Sequence, residues 1–188
     1  MYHEDMTTRA EQARQTREAV LATARKLFAE QGYDATSLQQ IADRMGVRKA
    51  NVYYYFRTKE AILEALLPPL IDGVRALLDV AEAIPRGDAR TRFLAEGFVT
   101  QVVTAWRDVG PLNLGDPALR RHVAVARELD DLAERGLHLL FGGHPTPDQQ
   151  AAYWQTRDLA PALRRLRHLP DDELTDVLVR LCLRILPA

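Results

Sequence analysis

The 188-residue chain has one cysteine, Cys182, and three lysines, Lys26, Lys49 and Lys59. A single thiol excludes an intrachain disulfide and agrees with a reducing compartment. Its neighbours Leu178, Leu181 and Ile185 mark it as a small apolar group of a core or interface. No apolar run approaches the ~20 residues that a membrane helix needs, and Met1 to Arg9 has neither a basic start nor an apolar stretch. The chain is therefore expected in the cytoplasm, away from membranes. His3, His122, His138, His144 and His168 show no metal-ligand spacing, and one cysteine cannot complete a structural zinc site, so neither metal nor cofactor is expected. A nucleophile elbow, a phosphate loop, HExxH and paired-carboxylate signatures are missing too, which argues against an enzyme.

Strong charge of one sign is also lacking: the net charge is −1. It is unevenly spread. Residues 1–60 hold ten Lys and Arg against eight Asp and Glu, whereas the remainder holds fifteen against eighteen. Between Asp43 and Glu60, Arg44, Arg48, Lys49, Arg57 and Lys59 meet no further acid, the local footprint that binding to phosphate requires. With 47% apolar and 27% charged residues, the composition excludes disorder beyond the first few residues. The length suits one sizeable core, or a small head with a larger body.

The organising stretch is residues 37–56. Ser37 with Gln40, or Thr36 with Gln39, fits a capping box. Leu38, Ile41, Ala42 and Met45 follow at helical spacing. Gly46 then supplies a left-handed turn around Met45-Gly46-Val47. A second short helix places Val47, Ala50 or Val52, and Phe56 inward, leaving Arg48, Lys49, Asn51, Tyr54 and Tyr55 outward. Two short helices about a glycine turn, the second bearing donors and aromatics, form a helix-turn-helix suited to the major groove. Arg and Lys match guanine and phosphate, Asn matches adenine, and Tyr can meet a thymine methyl or a phosphate.

Gly32-Tyr33-Asp34-Ala35-Thr36-Ser37, Ile41-Ala42, Gly46-Val47 and Tyr53-Tyr54-Tyr55-Phe56-Arg57-Thr58-Lys59-Glu60 resemble the TetR family of transcriptional regulators over about residues 14–64. The resemblance implies an all-α chain of about nine helices. It also implies a three-helix DNA-binding head, a variable ligand-binding body, and a two-fold dimer usually acting as a repressor released by a small molecule. On that basis residues 10–60 are the DNA-binding domain, and residues 61–188 bind ligand and dimerise.

Before the motif, Ala13, Val20, Ala24, Leu27 and Phe28 mark a first helix from about Ala10 to Gln31, with Met1 to Arg9 expected to fray. Beyond it, Thr58 or Arg57 ends the recognition segment and Lys59 opens a helix rich in Ile62, Leu63, Leu66, Leu70, Ile71 and Val74. Pro68-Pro69 predicts a kink or break near Ala65–Leu67, either a hinge or a bend that follows the core. Asp88 can cap a central helix, Ala89 to Asp108, apolar nearly all round. Asp116-Pro117 opens a further helix to Phe141. Thr146-Pro147-Asp148-Gln149 opens another to about His168, bent at Pro161, and a last helix spans about Asp171 to Leu186. These two C-terminal amphipathic helices invite a two-fold copy, with an intrachain fold as the alternative.

The candidate DNA contacts are Thr36, Ser37, Gln39, Arg48, Lys49, Asn51, Tyr53, Tyr54, Tyr55 and Lys59. Gln39, Lys49, Asn51 and Tyr54 are expected to read bases, while Tyr53, Tyr55, Lys59 and the capping hydroxyls hold phosphate. Tyr55 equally suits packing on the first helix. The candidate effector pocket draws on Phe98, Gln101, Val102, Trp106, Asn113, His122, Leu137, Phe141 and Trp154, with ordinary core the leading reading for any one of them. Gln101 and His122 stand out as polar groups on apolar stripes. The expected function is a ligand-responsive DNA-binding regulator, a repressor released from a palindromic operator by a small molecule. The alternatives are an activator, a regulator controlled by a protein partner, and an enzyme or carrier with an incidental motif.

Overall fold

A computed structural model of the chain describes residues 2–109 and 123–187. The described residues form ten helical segments and no strand. They divide into two compact units, one running to Leu66 and the other beginning at Leu67.

In the first unit, α1 spans Tyr2–Gln31, α2 Leu38–Met45, α3 Lys49–Tyr55 and α4 Lys59–Leu66. Neither Gly nor Pro interrupts α1, and it begins at Tyr2, where fraying through Arg9 was expected. Gly32, at φ +92°, ends it, its amide donating to the Phe28 carbonyl at 2.9 Å. Val20, Ala24, Leu27 and Phe28 are its buried face, and Phe28 meets the Tyr33 ring edge-on at 5.2 Å. Helix α1 packs on α2 and α4, and α2 packs on α3. Ile41, Ala42, Val52, Ile62 and Leu63 are fully buried, so the core is made by one apolar face from each short helix. Each such large side chain contributes ~1.5–3 kcal/mol, which offsets the poor intrinsic stability of seven- and eight-residue helices.

Pro68 and Pro69 begin α5, Pro68–Glu82, immediately after the division between the units. The predicted break is thus a complete one, with Leu67 between α4 and α5. Proline is tolerated there because the first helical amides have no intrahelical acceptor.

In the second unit, α6 is Asp88–Val109, α7 Val123–Phe141, α8 Pro147–Arg157, α9 Ala160–Arg165 and α10 Asp171–Ile185. Thr146 and Gln149 form a capping box at the start of α8, where the sequence places a helix opening. The helix expected to reach His168 is two segments, broken at Asp158 and Leu159, with Pro161 in the first turn of α9. Helix α5 packs along α7, and α8 packs against α10 and α7. The α6 face made by Ala95, Val99, Val103 and Trp106 meets Leu159, Leu163, Leu174, Leu178, Val179 and Cys182 in one apolar cluster. Glu96, Thr100 and Thr104 of α6 are exposed, so the helix is buried along a stripe rather than all round. Helices α5 and α6 approach through glycine. A Cβ on Gly73 would lie 2.5 Å from the Gln101 amide oxygen, and one on Gly97 would lie 2.2 Å from Leu77. These mid-helix glycines forgo ~1 kcal/mol of helix propensity each and permit that close contact. Arg90 is buried and donates to the carbonyls of Ile84 (2.6 Å), Leu139 (2.9 Å) and Glu82 (3.2 Å), tying α6 to the end of α5 and to α7. No described helix is long and apolar enough to cross a membrane.

Candidate functional site

The helix-turn-helix of the first unit is built by local signals. Of the two capping boxes open in the sequence, Ser37 with Gln40 forms: the Gln40 amide donates to Ser37 Oγ (3.2 Å), and the Ser37 amide donates to Gln40 Oε1 (2.8 Å). At the other end Gly46 adopts φ +68°, its amide donating to the Asp43 carbonyl at 3.1 Å, while the Val47 amide donates to Ala42 at 3.0 Å. This left-handed residue turns the chain so that α3 can start at Lys49. Buried Val52 and Phe56 hold α3 down, with the Arg17 guanidinium 5.0 Å from the Phe56 ring.

The opposite face of α3 meets solvent. Arg48, Lys49 and Asn51 are exposed, as are Tyr53 (43%) and Tyr54 (75%). Two phenol rings at the surface are an uncommon expenditure of apolar area for a helix with a core of its own, and here they stand among cations. Among the described residues, neither Arg48 nor Lys49 has a carboxylate within ion-pair distance, and Arg57 lies 4.9 Å from the Tyr53 ring. Tyr54 and Tyr55 meet edge to face at 5.1 Å, and Tyr55 is half-buried. Arg44 differs: it is neutralised by Glu30 at 2.9 Å.

The remaining predicted contacts are drawn into the head itself. Thr36 is 3% exposed; its hydroxyl donates to the Gly32 carbonyl (2.8 Å) and accepts from Gln31 (3.1 Å). Gln39 is exposed but donates to Asp43 at 2.7 Å. Lys59 donates to the carbonyls of Tyr33 (2.6 Å) and Asp34 (3.3 Å) and lies 4.2 Å from the Tyr33 ring centroid. The structure thus gathers Arg48, Lys49, Asn51, Tyr53 and Tyr54 on one face, with Ser37 at the start of α2, and engages Thr36 and Lys59 elsewhere. Beside them, Thr58 Oγ1 accepts from the Ala61 amide (3.1 Å) at the start of α4. The Glu60 carboxyl is held below its ordinary pKa of 4.5 by backbone amide donation in this first turn, aided by the Thr58 and Tyr33 hydroxyls and Lys59.

A cavity open to solvent lies within the second unit. Its apolar wall comes from α5, α6 and α7, notably Val74, Leu77, Leu94, Phe98, Leu132 and Leu140; α8 contributes Tyr153, Thr156 and Arg157, and Cys182 and Leu186 close one side. Burial raises the Tyr153 phenol above its ordinary pKa, with Arg157 pulling the other way, and pushes the Cys182 thiol up to about 11. Of the seven predicted pocket residues that the structure describes, only Phe98 lines this cavity. Trp106 and Leu137 are buried core, Val102 packs on that core, Gln101 packs on Gly73, Phe141 is half-buried, and Trp154 is 41% exposed. Asn113 and His122 lie outside the described residues. Sequence reading passed over Tyr153, Thr156 and Arg157, although their spacing of three and four places them on one face of α8. No group of three or more metal-ligating side chains occurs among the described residues.

Comparison with known proteins gives this geometry a context. The model of the bacterial regulatory proteins, tetR family, matches residues 20–66. The HTH-type transcriptional regulator RutR of Escherichia coli (strain K12) is 41% identical over 56 residues, 30% of this chain and 26% of that protein. The tetracycline repressor protein class C of Escherichia coli is 28% identical over 124 residues, 64% of this chain and 54% of that protein. The chain therefore spans between about a quarter and about half of the length of these relatives. The crystal structure of Mycobacterium smegmatis AmtR superposes with a TM-score of 0.64 at 28% identity, covering 90% of this chain and 84% of that one.

Proposed function

Because the chain belongs to the tetR family of bacterial regulatory proteins, through its head at residues 20–66 and a fold shared over most of its length, we propose that it is a ligand-responsive transcriptional repressor. In this reading residues 10–60 bind a palindromic double-stranded operator. Residues 61–188 bind a small-molecule effector and pair two copies through the two C-terminal stretches, α8 with α9, and α10. The protein acts in the cytoplasm, where its operator is, and works by binding rather than by catalysis.

The observation that carries the reading is the solvent face of α3. Arg48 and Lys49 supply unneutralised charge for phosphate or guanine, Asn51 offers a donor and an acceptor for adenine, and Tyr53 and Tyr54 present rings to the groove. Trp154 on α8 and Leu181 on α10 are large apolar side chains at the surface, which supports the pairing of these two helices with their copies.

Fluorescence anisotropy on DNA flanking the chain's own gene tests the proposal. The wild-type protein should bind one fragment selectively, and a lysate extract should release it. Asn51→Ala should weaken binding to that fragment by ~1–3 kcal/mol while leaving non-specific binding unchanged. Equal binding to all fragments, or an Asn51→Ala variant that keeps full selectivity, would contradict it.

A further inference from the structure

The cavity of the second unit is apolar except at one place. Tyr153 donates its hydroxyl proton to the Ala133 carbonyl (2.7 Å), and Thr156 donates its own to the Tyr153 carbonyl (2.8 Å). Both hydroxyl protons are engaged and the Tyr153 oxygen already meets the Arg157 guanidinium, so these hydroxyls have no proton left to donate to a ligand. Arg157 is different. Its guanidinium carbon lies 5.9 Å from the Phe98 ring centroid, 6.0 Å from Tyr153 and 5.7 Å from Trp154, and it makes no salt bridge among the described residues. Among the described residues, no carboxylate lines the cavity.

A guanidinium keeps its charge throughout the physiological range and presents a planar fork of N–H donors that matches a carboxylate in two parallel hydrogen bonds. Set against an aliphatic wall, it asks for an anion with a hydrocarbon body. A cationic ligand would be repelled, a neutral one would cover the guanidinium without answering its charge, and a dianion would bring a second charge that no cavity residue matches. We infer that the cavity takes a small apolar monocarboxylate, its carboxylate paired with Arg157 and its hydrocarbon part among Leu77, Leu94, Leu132 and Leu140. The inference rests on the ligand-responsive reading above and names the chemical class of the effector.

Calorimetry on the full-length protein, without DNA, tests it with two acids and their matched alcohols: decanoate against decanol, and phenylpropanoate against phenylpropanol. At least one acid should bind about tenfold or more tighter than its alcohol, the scale of a hydrogen bond to a charged group. Arg157→Gln should abolish that difference by weakening the acid alone, and Arg157→Lys should keep part of it. If Arg157→Gln does not fold, the wild-type contrast and Arg157→Lys decide. The inference is overturned if no acid binds better than its alcohol, or if Arg157→Gln weakens acid and alcohol alike. DNA release is measured separately. A protein that binds an acid through Arg157 yet keeps its hold on the operator would refute ligand-responsive repression and leave the site standing. One released by an extract molecule while neither acid is preferred would do the reverse.

Discussion

Lys59 separates two roles that a basic side chain beside a recognition helix can play. If it reached phosphate, replacing it in both copies of a dimer would lower the slope of log affinity against log salt by about 1.8, at ~0.9 per contact. In the structure its ammonium donates to the carbonyls of Tyr33 and Asp34 and faces the Tyr33 ring. Two partly exposed charged hydrogen bonds at ~1 kcal/mol each and a cation–π contact of ~0.5–1 kcal/mol give about 2–3 kcal/mol of stability. Lys59→Met is therefore expected to lower the urea stability of the protein by about that amount and leave the salt slope of operator binding unchanged. Lys49→Ala should do the opposite, flattening the slope with little effect on stability. Urea denaturation and salt-titrated anisotropy on both variants decide. A Lys59→Met protein as stable as wild type, with its slope reduced by about 1.8, would refute the assignment.

Three further outcomes follow from the same contacts. Arg90→Met removes a buried cation and leaves three carbonyls without their donor, and should cost about 3–5 kcal/mol by urea denaturation; a loss under ~1 kcal/mol would contradict the staple. Because the Glu60 carboxyl is depressed in the folded head, its contribution is complete above 4.5, its ordinary pKa, and is lost as pH falls through the lower folded value. Glu60→Gln should thus be less stable than wild type near neutrality and converge with it in acid, and parallel pH–stability curves would contradict this. Replacing Pro68 and Pro69 with alanine should leave operator affinity and effector response unchanged, since both prolines stand where α5 needs no amide donor. A shift in either would assign them a hinge role.

The head was largely legible in the sequence because its signals are local. A capping box, a left-handed glycine and an apolar spacing of three and four act within one or two turns, so Ser37, Gly46 and the α2 face could be placed without tertiary information. The double proline marked the end of α4 for the same reason. The cavity was not legible, because its wall converges from five helices and helical spacing does not separate a core residue from a lining one. Trp106 and Leu137 are as apolar as Phe98, yet only Phe98 reaches the cavity. Nor does a sequence show that Lys59 folds back onto carbonyls 25 and 26 residues earlier, or that Gly73 and Gly97 let α5 and α6 touch.

Selection of bound fragments from random double-stranded DNA by the full-length protein tests the central claim most directly. A symmetric pair of exposed α3 faces predicts an inverted repeat whose half-site centres lie about one helical turn apart, roughly 34–36 Å or a multiple of it. Recovery of unrelated sequences, or of a single site without two-fold symmetry, would contradict it.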